Sequence, residues 1–132
     1  MEPFDPADLW RFLLPGYLIT VAIETPVLVL GLSRTHRLPT RLAAGFWLTA
    51  CTYPVVVLVL PLLFPASWRL AFLATAETFA PVAECWMFHL ACHAGRDVPR
   101  SDRIRDYVAI TLANLLSFGL GELFYALGGS IV

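Results

Sequence analysis

Between Trp68 and His93 the chain reads WRLAFLATAETFAPVAECWMFHLACH, which sets Glu77, Glu84, Cys85, His89, Cys92 and His93 into apolar sequence of helix length. Two chemistries are open to such residues. Glu77 and Glu84 are seven apart and share a helix face, and Glu24 and Glu122 stand in apolar runs of their own. An ionised acid near mid-bilayer costs roughly 2.5–3.5 kcal/mol on insertion scales, so carboxylates placed there are expected to hold a proton or a cation. Cys85, His89, Cys92 and His93 offer sulfur and imidazole donors of the kind zinc and copper accept. One helix cannot close a tetrahedral site alone, and the spacing fits no metal motif, so these four stay weak candidates and no metal or other cofactor is expected. His89 reads instead as an interior histidine, His93 as a helix C-terminal cap favoured by the dipole, and His36 as a solvated loop residue.

Composition says where this chemistry sits. Of 132 residues, 58% are hydrophobic and 14% charged, and the mean hydropathy is +0.72, which is an integral membrane profile. The nine basic residues are all arginine and the net charge is −1, so the basic field that nucleic-acid binding requires is missing. Without lysine, a P-loop or a Schiff base is excluded, and HExxH, CxxC, GxSxG and GxGxxG are absent, so an enzyme is not the favoured reading. Cys51, Cys85 and Cys92 read as free thiols in apolar surroundings. The acidic start MEPFDPADLW lacks the positive region of a signal peptide, so the first helix is expected to persist in the mature protein.

The elements that must position the acids are four apolar segments in one membrane domain spanning residues 1–132. A membrane crossing takes about 20 residues, which predicts helices over about 12–32, 42–64, 70–92 and 108–131. Asp5 is placed as the cap of the first helix and Trp10 with Arg11 as its interface anchor. Pro54 and Pro61 predict kinks, and Pro65-Ala66-Ser67 a tight turn. Arg34, Arg37, Arg41, Arg96, Arg100, Arg103 and Arg105 oppose only Arg11 and Arg69. The positive-inside rule then puts loops 1–2 and 3–4 in the cytoplasm and both termini outward, in a bacterial cytoplasmic (inner) membrane, with the loop arginines meeting anionic lipid headgroups. No internal repeat is evident.

Each helix carries one polar stripe at about 100° per residue. Tyr17, Thr20, Glu24 and Gly31 mark the first, Gly45, Thr49, Thr52 and Tyr53 the second, Glu77, Pro81, Glu84 and Phe88 the third, and Asn114, Ser117, Gly121, Tyr125 and Gly128 the fourth. Ser117 and Gly121 form a small-residue helix-packing pattern. At about 1.5 Å per residue, Glu77 with Glu122 form an outer tier and Glu24 with Glu84 an inner one, where Thr52, Asn114 and Ser117 supply supporting polar groups. The expected function is a proton- or cation-coupled transporter or channel, working as a homo-oligomer because four helices enclose little volume. The alternative is an accessory or structural subunit whose stripes dock a partner membrane subunit.

Overall fold

The computed structural model describes residues 6–128, and the expected cap at Asp5 and helical residues 129–131 lie outside them. The described residues are helical, with no strand. Helix α1 is Pro6–Gly31, α2 is Leu38–Leu63, α3 is Arg69–Phe88 and α4 is Arg100–Ala126. Three of them, Ala7–Gly31, Leu38–Leu63 and Arg100–Ala126, are long and apolar enough to cross a membrane. The α3 helix holds Arg69, Glu77 and Glu84 within its 20 residues. The chain is a helical membrane protein.

Helices α2 and α4 begin earlier than their apolar runs. Pro39 lies in the first turn of α2, and Pro99 directly precedes α4. Fixed proline φ suits a helix start, so helical backbone extends past the strictly apolar sequence. The other prolines act as expected on α2. Between Pro54 and Pro61 the helix widens into a π turn, Val55–Val59, before α-helix resumes at Leu60, a recognised response to a missing amide. A 3₁₀ turn, Ala66–Trp68, closed by Trp68 N–H donating to the Pro65 carbonyl at 2.8 Å, makes the next reversal. A second π turn, His89–His93, finishes α3, and Gly95, at φ +71°, takes the left-handed conformation that follows it.

Helices α1 and α3 each pack on both α2 and α4, so they occupy opposite sides of a four-helix bundle. The contacts descend one helix as they climb the next: Tyr17 meets Phe46 and Arg41 meets Val29. Helices α1 and α2 therefore run antiparallel, and so do α3 and α4, where Arg69 meets Glu122 and Glu84 meets Asn114. The terminal carbonyls of α1, which have no partner inside the helix, are taken by arginines. Arg41 donates to Val29 at 2.6 Å and Arg105 to Gly31 at 2.9 Å. These two arginines bind the chain's own backbone rather than standing out toward a headgroup layer.

Burial is inverted relative to a water-soluble bundle. Leu30, Leu62, Leu70, Val82 and Leu112 are exposed, while Glu24, Thr49, Thr52, Glu84 and Asn114 are buried. An apolar core of Leu28, Leu32, Leu48, Phe88, Cys92 and Ile110 with alanines fills the half nearest residues 32–37 and 94–99. Helices α1 and α2 approach closely at Gly45, where an added Cβ would stand 3.0 Å from the Thr25 Cα, and at Gly16, where it would overlap the Tyr53 hydroxyl. The expected packing through Gly121 is not seen: a Cβ there meets open space. Close approach falls at Gly16, Gly31 and Gly45 instead, because the helices part where Gly121 lies.

A repeat absent from the residue identities is present in the packing. Gly16, Val21, Glu24, Leu28, Leu32 and Ser33 are buried, and so are Ala76, Pro81, Glu84, Phe88, Cys92 and His93, sixty positions on. Helices α1 and α3 present equivalent faces to the bundle axis, with one glutamate each at the same level.

Candidate functional site

Glu24 and Glu84 sit where the apolar core ends, and they are 2% and 1% exposed. All four of their oxygens are bonded. Thr49 Oγ1 donates to Glu24 Oε2 at 2.8 Å and Ser117 Oγ to Glu24 Oε1 at 2.6 Å. Thr52 Oγ1 donates to Glu84 Oε1 at 2.6 Å and Asn114 Nδ2 to Glu84 Oε2 at 2.7 Å. Each carboxylate on α1 or α3 thus takes one donor from α2 and one from α4. Thr49 and Thr52 are three apart, as are Asn114 and Ser117, so both donor helices use one i, i+3 pair on a single face. The two clamps correspond when α1 is exchanged with α3 and α2 with α4.

The hydroxyl geometry has a chemical consequence. Thr49 Oγ1 also lies 3.0 Å from the Gly45 carbonyl, Thr52 Oγ1 3.2 Å from Leu48 and Ser117 Oγ 3.0 Å from Asn114. In every case the carboxylate is the nearer acceptor. An ionised acid takes the hydroxyl proton; a protonated acid can donate to that hydroxyl, which then turns to its own helix carbonyl. Both protonation states are hydrogen-bonded without moving a backbone atom.

Beyond the glutamates the helices separate around a cavity of about 570 Å³. Its walls include Glu24, Glu77, Glu84, Glu122, Thr52, Asn114 and Ser117, so every residue expected to form the site faces one space. Ile23, Val56, Phe72 and Phe118 supply apolar wall. The two tiers differ in their partners. Glu122 is held by both oxygens to Arg69 Nη2, at 2.8 and 3.1 Å, and the Arg69 guanidinium lies 5.2 Å from the Tyr125 ring centroid. Glu77 lines the cavity and makes no side-chain hydrogen bond among the described residues. The partnership with Arg69 escapes sequence reading, because it joins residues 53 positions apart across a helix pair whose register only folding fixes.

At the opposite, closed end lies a cluster the sequence does not bring together. Asp106 is fully buried; its Oδ1 accepts from the Ser33 amide at 2.7 Å, and its Oδ2 faces His36 Nε2 at 2.7 Å and His93 Nε2 at 2.8 Å. His36 is therefore not solvated but 7% exposed, and His93 is not an interfacial cap but 2% exposed. In each case a hydrogen bond to the buried Asp106 draws the ring inward. The Tyr107 hydroxyl bridges His93 Nδ1 at 3.2 Å and His89 Nδ1 at 2.8 Å. Of the four weak metal candidates, only His93 belongs to a group of converging ligand atoms among the described residues. Cys85 lies instead 3.7 Å from the Tyr107 carbonyl, Cys92 is in the apolar core, and all three cysteines are free thiols. Asp106 lies on the α4 face of Ile110, Ala113 and Asn114, one turn further back, and that periodicity is the signal that could have drawn it out of the arginine-rich segment.

No family model, no curated protein and no solved structure matches this chain.

Proposed function

We propose that this protein is a four-span transporter or channel coupled to protons or cations, with Glu24 and Glu84 as its binding pair. The observation that carries the reading is the double clamp at the floor of the cavity, two buried carboxylates whose hydroxyl partners suit both the charged and the neutral acid. Glu77 and Glu122 stand along the approach, with Arg69 neutralising Glu122 in part. Apolar walls keep the pair in a low-dielectric space where binding a cation or a proton offsets the cost of the charge. In this reading α3 crosses the membrane with the other three helices. The arginine-rich end faces the cytoplasm of a bacterial inner membrane, and the exposed Arg34, Arg37, Arg96 and Arg100 meet anionic headgroups. A homo-oligomer supplies the enclosure that a single bundle lacks on its open side.

Reconstitution in liposomes tests this. A proton or alkali-cation gradient should drive a flux through the native chain, and Glu84→Gln should abolish it while leaving the detergent-solubilised protein monodisperse. Absence of flux, with a membrane partner co-purifying in stoichiometric amount, would replace this reading with that of an accessory subunit.

A further inference from the structure

We propose that His36, His93 and Asp106 bind one divalent transition-metal ion of the zinc class at the closed end of the bundle. Their ligand atoms all lie within 4.8 Å of one another, and all three residues are more than nine-tenths buried. They come from three separate segments: the connection after α1, the π turn ending α3, and the first turns of α4. Both imidazoles aim Nε2 at a single oxygen, Asp106 Oδ2, while Oδ1 is already engaged by the Ser33 amide. Two imidazoles and one carboxylate oxygen gathered within that distance are a donor set that zinc and its neighbours accept, with ligand bonds of about 2.0–2.2 Å. Ligands on such an ion stand about 3 Å or more apart, so the 2.7 and 2.8 Å contacts need open by only a few tenths of an ångström.

The surroundings fit a ligand set as well. Metal-bound histidines characteristically engage their second ring nitrogen with a fixed partner. His93 does so through Tyr107, which in turn reaches His89. With an ion on Nε2, His93 Nδ1–H donates to the Tyr107 oxygen and the Tyr107 hydroxyl donates to His89 Nδ1, so one chain of hydrogen bonds fixes the tautomer. The Ser33 hydroxyl is buried with no hydrogen-bond partner, on the residue whose amide orients Asp106. It is the natural fourth donor, directly or through a water. The buried Phe88 ring stands T-shaped to both imidazoles, at centroid distances of 5.1 Å to His36 and 5.4 Å to His93, and helps exclude bulk solvent.

The test uses the full-length protein in detergent, stripped with a chelator and titrated with zinc and with cobalt(II). One ion per chain should bind, and the cobalt spectrum should lack a thiolate charge-transfer band. His36→Gln and His93→Gln should each abolish stoichiometric binding, and Cys85→Ser and Cys92→Ser should leave it intact. Tyr107→Phe, which preserves packing and ligands, should weaken binding about 10- to 100-fold. It also keeps the test decisive if a histidine variant misfolds on size exclusion. The proposal is overturned if the native chain binds neither metal, if Tyr107→Phe leaves affinity unchanged, or if binding depends on the cysteines. None of these outcomes bears on the glutamate pair, which lies on the other side of the apolar core.

Discussion

Glu84 shows how a buried carboxylate is accommodated in this bundle: both oxygens are hydrogen-bonded, and both donors come from neighbouring helices. Removing a donor leaves a desolvated oxygen without a partner, which costs about 1–3 kcal/mol in a protein interior. Measured side-chain hydrogen bonds between membrane helices are smaller, averaging about 0.6 kcal/mol. Thr52→Val and Glu84→Ala, taken alone and together through thermal unfolding in one detergent, should give a coupling of about 1 kcal/mol, because the acceptor is a carboxylate. A coupling indistinguishable from zero would mean the clamp does not hold in the folded protein. Thr49 with Glu24 should behave alike, being a second threonine-to-carboxylate contact made from α2. The acids and their supporting Thr52, Asn114 and Ser117 are legible in the sequence, since polar residues at helical spacing in apolar sequence have few innocuous explanations. Thr49 is legible only as stripe. Of the Asp106 cluster only Asp106 itself leaves a trace, its helical spacing to Ile110, Ala113 and Asn114; it sits among arginines where a solvated loop is the ordinary expectation, and His36 is brought inward only by tertiary contact.

Helix number and the facing stripes follow from periodicity, but the π turns do not. A shift from i,i+4 to i,i+5 bonding over Val55–Val59 or His89–His93 leaves no repeat in side-chain type. Glycine is similarly ambiguous until the helices are packed. Gly45 lies against Thr25, where an added Cβ would come 2.1 Å from Oγ1 and 3.0 Å from the backbone Cα, whereas Gly119 faces open space. Rotating Thr25 could relieve the first contact; only moving α1 relieves the second. Gly45→Ala should therefore destabilise the bundle by about 1–3 kcal/mol, in the range of overpacked interiors. Gly119→Ala should instead be neutral or stabilise by up to about 1 kcal/mol through helix propensity. Melting temperatures of the two variants in the same micelle check this. Equal tolerance at both positions would place the α1–α2 contact elsewhere.

The whole molecule has a closed half and an open half, and its polarity follows that division. The apolar core and the Asp106 cluster seal the end where residues 32–37 and 94–99 connect the helices; the cavity opens toward the other end. Seven of the nine arginines gather at the sealed end, and Arg41, Arg103 and Arg105 there also bind backbone carbonyls. The arginines at this end thus tie off helix ends, and in the proposed orientation the same residues resist transfer across the membrane. If the sealed end stays in the cytoplasm, the cavity with Glu77 and Glu122 faces outward, and the glutamate pair is loaded from outside. Asp97→Cys, in a chain with Cys51, Cys85 and Cys92 changed to serine, puts one thiol in the connection between α3 and α4, at an exposed position. A membrane-impermeant maleimide should label it only after cells are permeabilised. Labelling in intact cells would reverse the orientation, and the cavity would then draw its cation from the cytoplasm.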